Sequence, residues 1–413
     1  MQFMHMVRRG RGREAVAPRE GTLVPSSSIL RSRAGRTLAA GVVALAVATV
    51  VGLVALWPAE RPGVPPEAQR ADTLGARVVG VEAIPCRTPM ARDCRRVAAA
   101  LETGETASLR VGEAVSDPEP AVGDEVRLVR NEVPAGTPAQ VADPFTLVDF
   151  ERRAPLLWLA VGFAVLVIAL GRARGARALV GLAASVVVVF AFVVPAILAG
   201  QPPLAVAVAG ALAVMLVTIP LAHGLGAKSL AAIAGTAASL ALIVTLAVVF
   251  VEAAHLTGLA SDASQLLLAG RQDLSLEGLV LAGMVIGALG VLDDVTVSQS
   301  SAVMALRRAD PAMGFRRLYR EALGVGQDHA AATVNTLVLA YVGASLPALL
   351  ILGLGDVAPG QALNAESVAE PLVAMLVGSA GLLAAVPITT AVAGALALRL
   401  PAHALSPTAV HAH

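Results

Sequence analysis

The chain has 413 residues, 56% of them hydrophobic, 15% charged and 3% aromatic, with a mean hydropathy of +0.74 and a formal net charge of +1. Repeated apolar runs of about 20 residues on so little charge exclude an ordinary soluble domain and predict an α-helical polytopic membrane protein. A net charge near zero gives no footing for nucleic-acid binding. With Lys228 the one lysine, the placement of arginine along the chain is the informative part.

In chain order, residues 1–37 are polar, carry eight Arg, and read as a disordered cytoplasmic tail. Residues 38–57 form the first apolar run. It is longer than the roughly 7–15 residues of a signal-peptide core, and no convincing small-x-small cleavage site follows it before Trp57-Pro58, so an uncleaved signal-anchor helix is expected. Residues 60–153 are the one long soluble stretch and predict a small all-β extracytoplasmic domain between helices 1 and 2, an OB-like or SH3-like barrel. The runs ARVVGVEAI, RRVAAALETG, ETASLRVGEAV and GDEVRLVRNEV alternate in polarity and are separated by Gly, Pro and Asp turns. Gly63 and Pro65-Pro66 mark a linker into this domain, and residues 134–144 an extended approach to the next span. Cys86 and Cys94, the chain's two cysteines, both fall in the exported stretch, where a disulfide is permitted. Two reduced thiols are the alternative. A Cys-x7-Cys pair without companion ligands makes a poor metal site.

Seven further spans are predicted at 155–170, 178–199, 204–222, 229–251, 278–306, 331–353 and 371–398, giving about eight in all. Residues 155–400 thus form a seven-helix permease-like membrane domain, followed by a short cytoplasmic tail at 401–413. The loops at 171–177 and 309–329 are rich in Arg, whereas 200–203 and 354–370 have no basic residue and 252–277 has only Arg271. Positive charge resists translocation, so both termini are expected in the cytoplasm. His223 and Lys228 bound a Gly-rich cytoplasmic loop, HGLGAK; it lacks the spacing and the preceding strand of a phosphate loop.

Within the sixth run, GLVLAGMVIGALGVLDDVTVSQSSAVMAL, lies the doublet Asp293-Asp294, and no other acid or base sits inside a long apolar run. A carboxylate at bilayer depth costs about 2.5–3.5 kcal/mol on insertion scales, so such residues face protein or water and usually serve function. Gly283, Gly287, Gly290, Asp294, Ser298 and Ser301 follow helical spacings of 4, 3, 4, 4 and 3. They predict a stripe whose glycine part admits another helix at close range. Asp293 points about 100° away, toward Val297 and Ser300. Asp294 on the stripe is the better relay candidate, with Asp293 orienting it or pairing with another helix. Thr296 and Gln299 add polarity to the segment. The next span opens with His329, Thr333, Asn335 and Thr336 at its cytoplasmic mouth and carries Tyr341 deeper; the last contributes Pro387, Thr389 and Thr390. These are the supporting polar groups.

The blocks GMVIGALGVLDDVTVSQSSAV, GQDHAAATVNTLVLAYVGASLP and VGSAGLLAAVPITTAVAG, with HGLGAKSLAAIAGT, PLLWLAVGF and GRARGARALVGL, resemble the YibE/F-like family of bacterial membrane proteins over roughly residues 75–400. The resemblance implies an anchor, a small exported domain and a multi-span permease-like region in a bacterial cytoplasmic membrane; it carries no activity with it. A weaker likeness, an Asp-Asp span followed by a basic segment and two closing spans, is similar to half of an RND-type or SecD/SecF-type transporter, although this chain has two extra spans and no second half.

Two functions compete. In one, the chain is an ion- or proton-coupled permease or export accessory, acting on an unidentified small molecule or ion, in which Asp293, Asp294, Thr296, Ser298 and Ser301 relay protons. In the other it is a membrane scaffold or assembly factor whose Asp pair is structural. Partners are the lipid bilayer and a second copy or another membrane protein. No cofactor and no enzyme activity are expected: adjacent aspartates on one helix diverge, unlike a protease dyad, and no nucleophile elbow, zinc motif or dinucleotide fingerprint occurs.

Overall fold

The computed structural model describes residues 32–58, 73–87, 93–114, 117–131, 144–270, 273–355 and 358–400. The Arg-rich tail up to residue 31, the linker at 59–72, most of the 134–144 approach and the 401–413 tail lie outside the described residues. Helix α1 (Arg33–Ala55) begins where Ser32 caps the Gly35 amide. Five strands follow: β1 (Leu74–Ala83), β2 (Arg95–Leu101), β3 (Thr106–Val111), β4 (Glu125–Arg130) and β5 (Phe145–Phe150). They form one antiparallel sheet in the order β3-β2-β1-β4-β5, and β3 and β5 also approach each other, so the sheet curls. Alternate residues point inward, as period-two patterning requires, and Val78, Val97, Leu109, Val126 and Leu128 fill the interior. The first four strands coincide with the four alternating runs; β5, FTLVDF, was not among them. Cys86 and Cys94 are joined by a disulfide across the β1–β2 connection, beside Arg110, which donates to the Pro85 carbonyl and to Glu113.

The remaining elements are helical. α2 (Arg153–Val188) runs through a π-helical turn (Val189–Val193) into α3 (Val194–Leu198). Then come α4 (Pro203–His223), α5 (Ala227–Ala253), α6 (Asp262–Gly270), α7 (Leu276–Ala309), α8 (Phe315–Ala344), α9 (Leu346–Leu354), α10 (Pro359–Asn364) and α11 (Glu366–Arg399). Among the described residues six runs are long and apolar enough to cross a membrane: α1, the α2–α3 run, α4, α5, α7 and α11; α8 with α9, bent by 56°, makes a seventh if counted as one. The expected spans 155–170 and 178–199 fall on the two limbs of the α2–α3 run, and the loop expected at 171–177 is helical apart from a break at Arg172, where φ is 50° and ψ −134°. After the break the chain doubles back, so that a Cβ on Gly175 would overlap the Val167 carbonyl.

A second correction concerns 309–329, expected as a loop. From Phe315 it is the first half of α8, so His329 lies mid-helix and not at a helix mouth. The segment RRLYREALGVGQDH is a polar helix, and hydropathy reports only apolar ones.

The bundle's centre is α5, α7 and α11, with Leu240 and Ile243, Val285 and Leu292, and Val377 and Ala385 buried together. Close approach is carried by glycines other than the Gly283–Gly290 stripe. A Cβ on Gly381 would overlap Ile243, one on Gly235 would overlap Thr389, and one on Gly326 would overlap Gln299. Gly283 and Gly290 have no neighbour within 4 Å, and Gly287 meets only the Tyr341 hydroxyl at 3.6 Å. The stripe therefore lines an open furrow beside α8, and no backbone packs on it among the described residues.

Candidate functional site

Helix α7 is fixed in register by its N-cap, Ser275, which accepts from the Gly278 amide. Its ends follow the helix dipole, with Glu277 in the first turn and Arg307 and Arg308 in the last. The doublet sits near its middle, and the 100° step between neighbours sends the two carboxylates into different surroundings. Asp293 points between α7 and α4: its Oδ2 accepts from the Thr218 hydroxyl at 3.1 Å, and its Oδ1 is buried with no partner among the described residues. Asp294 points into the open furrow. Its side chain is 77% exposed, and the His329 Nε2 lies 3.7 Å from its Oδ2. The enclosed carboxylate is thus Asp293, and the residue on the Gly/Ser stripe is the open one.

From Asp293 a seam of buried hydroxyls and amides runs along α7 toward α5 and α11. The Thr296 and Thr236 hydroxyls share a hydrogen bond of 2.6 Å, and both side chains are wholly buried. One turn on, the Gln299 amide donates to the Ala322 carbonyl at 2.8 Å and to the Thr390 hydroxyl at 2.6 Å, while Thr390 donates to the Val386 carbonyl. Gln299 therefore ties α7 to α8 and α11 at once. The Ser300, Ser379 and Thr389 hydroxyls are buried without a partner among the described residues. Leaving such a group unsatisfied costs about 1–3 kcal/mol, so four orphaned oxygens in one membrane bundle are a feature to be explained. Hydroxyls both donate and accept, and can therefore pass a proton or ligate a cation by rotating about one bond.

The other predicted polar residues fall outside this seam. Ser298 is exposed and Ser301 half-buried; they donate to the Val295 and Val297 carbonyls of their own helix. Thr333 and Thr336 likewise donate to the His329 and Ala332 carbonyls, and Asn335 is exposed. Tyr341 is half-buried farther along α8. His223 Nδ1 and Lys228 Nζ lie 3.2 Å apart across the α4–α5 turn, and Arg177 and Asp294 lie within electrostatic reach of His223. Thr218 and Thr236, which bond Asp293 and Thr296, carry no periodic signal: each is a hydroxyl in an apolar run, where such groups usually satisfy themselves on their own helix.

A family model described as YibE/F-like protein matches residues 159–399, more than half of the chain. The chain belongs to the YibE/F-like family. The matched region of this YibE/F-like protein takes in the whole seam and leaves the five strands outside, so the resemblance is narrower than the stretch from residue 75 onward. No curated protein matches and no solved structure matches. The likeness to half of an RND-type transporter finds no counterpart in these matches.

Proposed function

We propose that this YibE/F-like membrane protein is an ion-coupled permease or export accessory, with a proton as the first coupling ion to test, and that Asp293 is the group that takes up and releases it. The observation that carries the reading is the half-enclosed Asp293 carboxylate: one oxygen is held by Thr218, and the other is buried with no donor among the described residues, on a helix whose next turns carry the buried Thr296 and Gln299. Asp294, in the furrow beside His329, serves as the exchange point with the outside of the bundle. Lipid bilayer surrounds the helices, and a second copy or another membrane protein closes the furrow. The 46-residue α2–α3 run would be about 69 Å long if straight, against a core of about 30 Å. We count its two limbs as separate crossings, which returns eight spans. Arg172, Arg174 and Arg177 at its break then share the cytoplasmic side with His223 and Lys228, and both termini with them. The curled sheet lies on the opposite side, as an exported domain that meets substrate or partner.

Proteoliposomes holding the full chain, loaded with a pH-sensitive dye, test the reading. Wild type is expected to dissipate an imposed pH gradient, and Asp293→Asn to abolish the flux. Equal flux in wild type, Asp293→Asn and Asp294→Asn overturns it. The scaffold alternative predicts lost stability or complex yield in the same variants with no associated ion movement.

A further inference from the structure

Some distance along α7 from the doublet, a cavity of about 560 Å³ opens between the Leu276 end of α7, the α8–α9 bend and the first turns of α11. From Gly283 on its wall to Asp294 is 11 residues of helix, about 16 Å, so it is separate from the seam. Its volume is that of a small-molecule site. The wall is mostly apolar, with Met284, Pro371 and Ala374, and carries hydroxyls from Ser264, Tyr341 and Ser345. Among the described residues no Lys, Arg or His lines it, and Glu370 is the one carboxylate on its wall.

Two neighbouring glutamates on α11 have opposite fates. Glu366 is committed: Oε1 accepts from the Thr257 and Gly258 amides at 2.6 and 2.7 Å, and Oε2 from the Thr257 hydroxyl at 2.8 Å, which pins the 257–258 turn to the start of α11. Glu370, one turn on, is half-buried and has neither hydrogen bond nor ion pair among the described residues. A carboxylate half withdrawn from water in an apolar wall, with no cation beside it among the described residues, is matched by a ligand that brings the positive charge. A metal ion does not fit. Among the described residues no three His, Cys, Asp or Glu side chains converge, and a hard cation wants six or more oxygens. An ammonium on an apolar body does fit, because it pairs with one carboxylate, buries its alkyl surface and gains from an aromatic ring such as that of Tyr341.

We propose that this cavity binds a small organic monocation, with Glu370 as its counter-ion and Tyr341 as the aromatic wall. The site does not depend on ion movement through the seam. The test is equilibrium binding of radiolabelled tetraethylammonium to the full chain in nanodiscs. Saturable binding is expected, displaced by benzyltrimethylammonium and not by pivalate, an anion of similar size. Glu370→Gln is expected to weaken it at least tenfold, Glu370→Asp to retain most of it, and Gly283→Leu, which fills the cavity and leaves the carboxylate, to abolish it. Asp293→Asn is expected to leave binding unchanged, so failure of the relay and failure of this site are read separately. No saturable binding by wild type, equal displacement by pivalate, or undiminished binding in Glu370→Gln and Gly283→Leu overturns the proposal. Displacement by neutral apolar compounds as readily as by cations assigns the cavity to lipid tails, and overturns it too.

Discussion

Asp293→Asn separates a relay from a structural lock, because the two readings give stability changes of opposite sign. The substitution keeps shape and keeps an oxygen for the Thr218 hydroxyl, which lies 3.1 Å away. The new NH2 falls where Oδ1 lies now, buried and without a partner, so one orphan replaces another and that cost cancels. Two differences remain. Removing a charge at bilayer depth relieves about 2.5–3.5 kcal/mol on insertion scales. A hydrogen bond to a neutral amide in place of a carboxylate gives back about 1 kcal/mol. The net is a gain of about 1.5–2.5 kcal/mol. The variant is therefore expected to unfold in detergent at the same or higher denaturant concentration than wild type while losing proton flux in proteoliposomes. Loss of more than about 1 kcal/mol, with flux either absent from wild type or retained in the variant, would show that Asp293 holds the bundle together and carries nothing.

Other consequences follow from particular contacts. Gly235→Ala and Gly381→Ala, where a Cβ would overlap Thr389 and Ile243, are each expected to cost about 1–3 kcal/mol; Gly283→Ala, facing open space, is expected to gain up to about 1 kcal/mol from helix propensity, all three read by thermal unfolding in detergent. A double-mutant cycle of Thr236→Val with Thr296→Val is expected to give a coupling of about 0.5–1.5 kcal/mol, and a coupling near zero would remove their 2.6 Å bond from the account. Reducing the Cys86–Cys94 bond, which closes a loop of sequence separation 8, is expected to destabilise the sheet by about 2.5 kcal/mol on the chain-entropy estimate, followed by circular dichroism, without changing ion flux. Arg172→Gly is expected to stabilise the α2 break by about 1 kcal/mol, since φ of 50° with ψ of −134° suits glycine and no other residue.

The apolar helices were legible because an unbroken run of hydrophobic side chains announces itself at any register, and four strands because their alternation is period two. What escaped has a physical pattern. The first half of α8 is charged on most of its faces, so its turns read as loop. β5 follows directly on a Pro-rich stretch and leads into α2, leaving no turn to bound it. Glycine spacing showed where a helix is able to approach and not where one does: the approach is made at Gly235, Gly326 and Gly381, each set by one large partner side chain. The doublet stood out as charge in an apolar run, and helical geometry gave the angle between its members. Which of them is enclosed depends on α4 and α8, and no pattern within α7 holds that information.

That division bears on why two carboxylates stand where one would suffice for a lock. A single aspartate at position 293 would be enclosed, bonded to Thr218 and cut off from exchange; one at position 294 would be open, facing His329 with no path inward. Adjacent residues put one carboxylate on each side of the same helix, so a proton accepted at the open one has a neighbouring acceptor on the enclosed side without any movement of α7. Farther along the same helix Thr296 pairs with Thr236, and Gln299 with Thr390, each in a hydrogen bond of 2.6 Å. A scaffold has no use for the open member, which makes no hydrogen bond among the described residues. The proposed relay gives both a place, the open carboxylate for exchange and the enclosed one for uptake.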